Sequence, residues 1–189
     1  MAYTASSLQI GVPDITSVVL TGNLGDPSGI TQLPSVTMEA KLGTRVKAQD
    51  TANNWEGEFI YLAVPTSTTV TVGLLYQFDK TYNVAVVPIL ATSKNTGVQV
   101  VMAYTGVTSN STTVQYAWFL YQGTAPVLKT AVTVSPQSPV YMSATAGRIK
   151  VLSSAGGQIL GARTQNTATV TSTTSTVLLY LGPSSLEGA

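Results

Sequence analysis

Glu56 and Glu58, with Asp79 further along the chain, have the spacing best suited to chemistry. On a strand, residues i and i+2 share a face, so Glu56 and Glu58 can in principle pair as the two acids of glycoside hydrolysis. They also flank Gly57 at an expected strand start, where solvated, charge-paired acids are common, and that plainer reading is preferred. Asp14, Asp26, Asp50 and Asp79 stand in turn-like contexts, where Asp bonds its own backbone. No short loop gathers the several acids a calcium ion needs. The chain has no His and no Cys, which removes the usual general base, the thiol nucleophile and the commonest zinc ligands. A Ser–Lys pair remains, but Ser93 and Lys94 are adjacent, and neighbours on a strand point apart. No Gly-x-Ser-x-Gly elbow, Gly-x-Gly-x-x-Gly loop or P-loop occurs. No catalytic, cofactor-binding or metal residue is therefore expected. Trp55, Tyr76, Tyr82, Tyr104, Tyr116, Trp118 and Tyr121 could form a glycan platform, yet most lie inside apolar strands, where a core role is expected.

The elements that would position these residues are read from composition and periodicity. The 189 residues hold nine Lys+Arg and eight Asp+Glu, and charged residues are only 9%, against ~25% in ordinary domains. The cations are dispersed, with Lys41, Arg45 and Lys47, and Arg148 and Lys150, as the only loose groups. Nucleic-acid binding, which needs clustered cations, is not expected. A near-zero net charge favours association. The longest apolar run, Val84 to Ala91, falls far short of the ~20 residues of a membrane helix. Met1–Ser7 has no basic and then apolar signal pattern, so synthesis and folding in a cytoplasm are expected.

Thr and Val dominate, and the expected fold class is all-β: an antiparallel barrel or sandwich over 54–189 behind an extended N-terminal arm, 1–53. The arm is punctuated by Gly11, Pro13, Gly22, Gly25, Pro27, Gly29, Pro34 and Gly43. Its apolar anchors, among them Ile10, Ile15, Leu20 and Leu33, are expected to lie on a neighbouring surface. From Glu56 onward strand candidates follow the rhythm of roughly 8–12 residues typical of sandwiches and barrels. They are Glu58–Val64, Val70–Tyr76, Tyr82–Ile89, Gln99–Thr105, Val114–Gln122, Val127–Val134, Val140–Ala144, Arg148–Leu152, Gln158–Arg163, Ala168–Ser172 and Thr176–Leu181. Turns are expected between them, including Gly123–Pro126 and Ser135–Pro139. No helix is expected. Glu58–Val64 and Tyr116–Tyr121 are apolar on both faces, so both should be covered, by a second sheet, the arm or another subunit. Trp118 and Phe119, on opposite faces, should both be buried. Thr66–Thr71, Thr108–Thr113 and Thr164–Thr176 are polar and read as exposed hairpins or edges. The triplet Asn110-Ser-Thr matches a glycosylation acceptor, as chance allows in a Ser/Thr-rich chain.

Leu42-Gly-Thr-Arg-Val46, then Asp50, then Glu56-Gly-Glu-Phe-Ile-Tyr-Leu62 resembles the opening of tailed-bacteriophage capsid decoration (cement) proteins. The similarity continues at Val72-Gly73, Tyr76-Gln-Phe-Asp79, Gln115-Tyr-Ala-Trp-Phe-Leu-Tyr-Gln-Gly123, Tyr141–Gly147 and Gly157–Ala162. These ordered matches cover about two-thirds of the chain. Ala117 replaces a common Gly, and Thr164–Thr176 and the arm have no counterpart. The resemblance implies a non-enzymatic virion protein without cofactor that binds major capsid proteins on the outside of an icosahedral shell. It also implies a homo-oligomer, with a trimer favoured and a dimer as the alternative. The competing readings are a carbohydrate-binding sandwich, another structural head or tail component, and a hydrolase built on Glu56, Glu58 and Asp79.

Overall fold

β-branched and aromatic side chains fit a pleated backbone better than a helix turn. The segments rich in them are strands in the computed structural model, which describes residues 3–5, 40–50, 53–86, 93–104, 106–109 and 111–187. Among the described residues strands predominate and helix is nearly absent, as the composition leads one to expect. The strands are β1 (Tyr3–Ala5), β2 (Arg45–Asp50), β3 (Trp55–Val64), β4 (Thr69–Val70), β5 (Leu75–Phe78), β6 (Val84–Val86) and β7 (Gln99–Ala103). They continue with β8 (Val107–Thr108), β9 (Gln115–Leu128), β10 (Pro139–Met142), β11 (Ile149–Lys150), β12 (Gln158–Thr164) and β13 (Thr176–Leu186). One large antiparallel sheet runs β1-β2-β3-β9-β7-β13-β12-β10-β11, with β5 added to β7 and β6 to β5; β4 and β8 pair apart. The arrangement is sandwich-like and is not a closed barrel.

Expected as two strands around a turn, the stretch from Gln115 through Gly123–Pro126 to Leu128 is one 14-residue strand, β9, and the rest of the expected Val127–Val134 strand contributes only isolated bridges at Lys129 and Val134. Gly123 has φ of +139°, and it bends the strand without reversing it. Pairing passes there from β3 to β13, since Gly123 lies opposite both Gly57 and Leu181. A Cβ on Gly123 would stand 2.9 Å from the Gly57 Cα, so the crossing requires glycine. Val70–Tyr76 likewise divides into β4 and β5 at a turn closed by a Leu74 N–H to Thr71 carbonyl bond. Ala168–Ser172 contributes only a bridge between Val134 and Val170.

Within the expected arm, β1 and β2 both belong to the large sheet. Val46 and Ala48 of β2 are buried in its core, so the sheet begins before residue 53. Most of the expected arm, 6–39, lies outside the described residues.

Two apolar clusters sandwich β3 and the first half of β9. Phe59, Tyr61, Trp118 and Leu120 join one with Val127, Val140, Ile159 and Leu179. Ile60, Leu62, Phe119 and Tyr121 join the other with Tyr76, Phe78, Val84 and Val101. Trp118 and Phe119 are each 1% exposed, as their two-faced strand predicts. The chain covers both faces itself, so these strands do not call for a partner.

Candidate functional site

The bulge at the Gly57–Gly123 crossing sets Gln122 opposite Glu58, and β2 places Lys47 opposite Glu58 and Gln49 opposite Glu56. Together these residues line a cleft of about 310 Å³ with Ala48 and Gly57. The sequence pair Glu56 and Glu58 is thus brought together. Arg45 Nη1 lies 3.6 Å from Glu58 Oε1, and the same guanidinium covers the Tyr121 ring at 4.0 Å. Gln122 Nε2 donates to the Tyr180 hydroxyl at 3.4 Å. Both glutamates rise from one strand, side by side. Glycoside hydrolysis instead needs two carboxyls on opposite sides of a scissile bond. The cleft mixes acids, cations and amides, a lining suited to holding polar groups by hydrogen bonds.

Asp79 is elsewhere, on the exposed β5–β6 turn. It accepts from the Thr81 hydroxyl at 2.6 Å and the Thr81 N–H at 2.9 Å. The hydroxyl bond, foremost, holds its carboxyl below the usual carboxylate range. Asp50 is fully buried and accepts from the Asn53 amide side chain at 2.9 Å, a turn-forming role. Asp14 and Asp26 lie outside the described residues, as does Asn110 of the glycosylation triplet. Ser93 is buried while Lys94 is exposed, and neither stands on a strand. Among the described residues no three acidic side chains converge as a metal site would need, and no helix is long and apolar enough to cross a membrane.

The aromatic candidates form no exposed row. Tyr76, Trp118 and Tyr121 are buried, and Trp55, Tyr104 and Tyr116 are partly buried against the first core. Tyr82 alone of the seven is exposed, at 37%. Its ring lies on the backbone of Gly43, where a Cβ would stand 2.6 Å from the Tyr82 Cζ. The glycine of the Leu42-Gly-Thr motif is thereby explained as a seat for an aromatic ring.

No family model, curated protein or solved structure matches this chain.

Sequence reasoning passed over Lys129 and Asn166. Lys129 is 1% exposed. Its ammonium donates to the carbonyls of Val132 at 2.8 Å, Thr171 at 3.0 Å and Thr130 at 3.3 Å. Burial pushes its pKa below the usual lysine value. Asn166 donates to the carbonyls of Val134 at 3.2 Å and Ala168 at 2.6 Å. The two side chains pin the Thr-rich segment to the body of the sheet; Thr164 is buried, while the hydroxyls from Thr167 to Thr176 stay exposed. The signal for Lys129 was present: a single cation inside the apolar run Val127–Val134.

Proposed function

We propose that this chain is a non-enzymatic structural protein of a bacteriophage virion. It is made in the host cytoplasm, binds the outer surface of an icosahedral capsid between major capsid proteins, and stabilises the shell as a homo-oligomer. One observation carries the reading: the residues of the ordered resemblance are those that build the frame. Gly43 seats Tyr82, Glu56–Leu62 lies in β3, Gln115–Gly123 runs along β9 to the crossing, and Gln158–Ala162 lies in β12. The residues that carry the resemblance serve the frame of this chain and form no reactive group. The charge-poor composition, 9% charged, supports the same reading, because a surface with few charges loses little solvation on docking. Apolar burial at ~25 cal/mol/Å² over many copies opposes internal pressure without chemistry, although association costs remove part of each gain.

Mixing the purified chain with purified expanded shells should add regular density over the capsomer junctions in electron micrographs. Bare shells at saturating protein would overturn the proposal. The mixed polar cleft at Glu56, Glu58, Gln49 and Gln122 favours a second reading, a glycan-binding module. Binding to a glycan array, abolished by Gln122→Ala, would support that reading in place of the first.

A further inference from the structure

The edge of the large sheet carries a short, sequence-distant pairing. Among the described strands β1 pairs only with β2, through three residue pairs: Tyr3 with Asp50, Thr4 with Gln49 and Ala5 with Ala48. Residues 6–44 separate the two strands, a connection far longer than the two to five residues or so of a hairpin. Closure entropy grows only slowly with loop length. A long connection therefore discriminates weakly between β2 of its own chain and β2 of a close neighbour. Residues 41–44 are tied to Tyr61 and to one another beside β2; an extended chain covers ~3.3–3.6 Å per residue, so the length of 6–39 alone suffices to reach past a domain of this size. The occupant of the β2 edge is thus fixed by the fold as a Tyr3–Ala5 strand, and the open matter is which copy supplies it.

We infer that β1 is exchanged between copies, so that Tyr3–Ala5 of one copy adds to the β2 edge of the next, at Ala48–Asp50. The main-chain bonds made are the same in both arrangements, as in domain swapping generally. What tips the balance is the high local concentration of copies held side by side, and in this respect the inference rests on the shell reading. Handed on from copy to copy, the contact closes a ring, which suits a trimer; made reciprocally, it gives a dimer.

The chain has no Cys, so introduced thiols report without background. Successive antiparallel pairs alternate between wide and narrow spacing, and two registers are therefore needed. One uses Thr4→Cys with Gln49→Cys, the other Ala5→Cys with Ala48→Cys, all in the full chain and checked for folding by circular dichroism. Separately made T4C and Q49C chains, or A5C and A48C chains, are mixed with shells and oxidised. In at least one register we expect a covalent dimer on the order of tenfold above that from T4C or A5C alone. The corresponding double variant should then give closed covalent dimers or trimers. Disulfides formed only within single chains in the double variants, or no disulfide in either register, would overturn the inference. Cosedimentation of the same samples separates the two ideas. Shell binding with intrachain disulfides sinks the exchange and leaves the shell reading standing. Interchain disulfides in shell-free protein that does not bind shells do the reverse.

Discussion

Trp118 and Lys129 are equally buried, one in the first half of β9 and one just past its end, yet opposite physics holds them. Around Trp118 the strand is fixed by area: Tyr61 packs at 5.0 Å between ring centroids on its face, and on the other face Phe119 meets Tyr76 at 6.2 Å. Around Lys129 it is fixed by direction. Where β9 ends, turns bring three carbonyls to one place; those of Thr130 and Thr171 each also accept a main-chain N–H, from Val132 and Thr174, and buried carbonyls must be satisfied. One ammonium serves three of them, while Arg148 Nη1 donates to the Lys129 carbonyl at 2.9 Å. A chain with few charges places one of them where it organises backbone and leaves the strands to apolar packing.

The largest effect should come from the area-fixed side. Trp118→Ala should lower stability by about 3–5 kcal/mol in urea melts; a loss below about 1 kcal/mol would mean that the double core is not what holds β9. Lys129→Met keeps the bulk and removes the donors. It should cost about 1–3 kcal/mol, the scale for one buried acceptor losing its donor, because the Thr130 and Thr171 carbonyls keep main-chain donors, and the loss should be local. Proteolysis and hydrogen exchange should rise at 164–176 while the β3–β9 amides stay protected. Uniform loosening would erase the contrast between the two regions. The smallest effect belongs to Asp79, a surface counterpart of these pins. Its pKa is lower in the folded than in the unfolded chain, so its stabilisation is in force above about pH 3.8 and fades as pH falls through the folded value. Asp79→Asn should therefore melt slightly below the parent at neutral pH and match it in strong acid. A gap that widens on acidification would reverse that assignment.

The same contrast explains what could be read from the sequence. Glu58–Val64 and Tyr116–Tyr121 declare themselves as two-faced strands because burial writes itself into residue type, and Trp118 and Phe119 follow. The Gly123–Pro126 segment did not. Glycine and proline mark a departure from regular backbone, but whether the chain reverses or hands its bonds to a new neighbour depends on Gly57 and Leu181, both remote in sequence. The pairing of Glu56 with Glu58 was legible from strand periodicity. Their company in the cleft, Lys47, Gln49 and Gln122, depends on register and on a bulge that local sequence does not encode. Lys129 was visible as an oddity without a meaning, because its acceptors are backbone atoms and backbone atoms have no letter in a sequence.

The uninterrupted course of β9 bears on how the protein responds to force. Its first half is hydrogen-bonded to β3 and its second half to β13, so tension entering through one half travels along a single covalent backbone into the other. Pulled along the strand direction, both ladders are loaded in shear, and their bonds must fail together instead of opening one at a time. The Gly57–Gly123 crossing lies where the two ladders meet, and with no side chains between the backbones it lets them approach closely. A molecule built this way is stiff along one axis, the property wanted in a part that must hold while its surroundings strain.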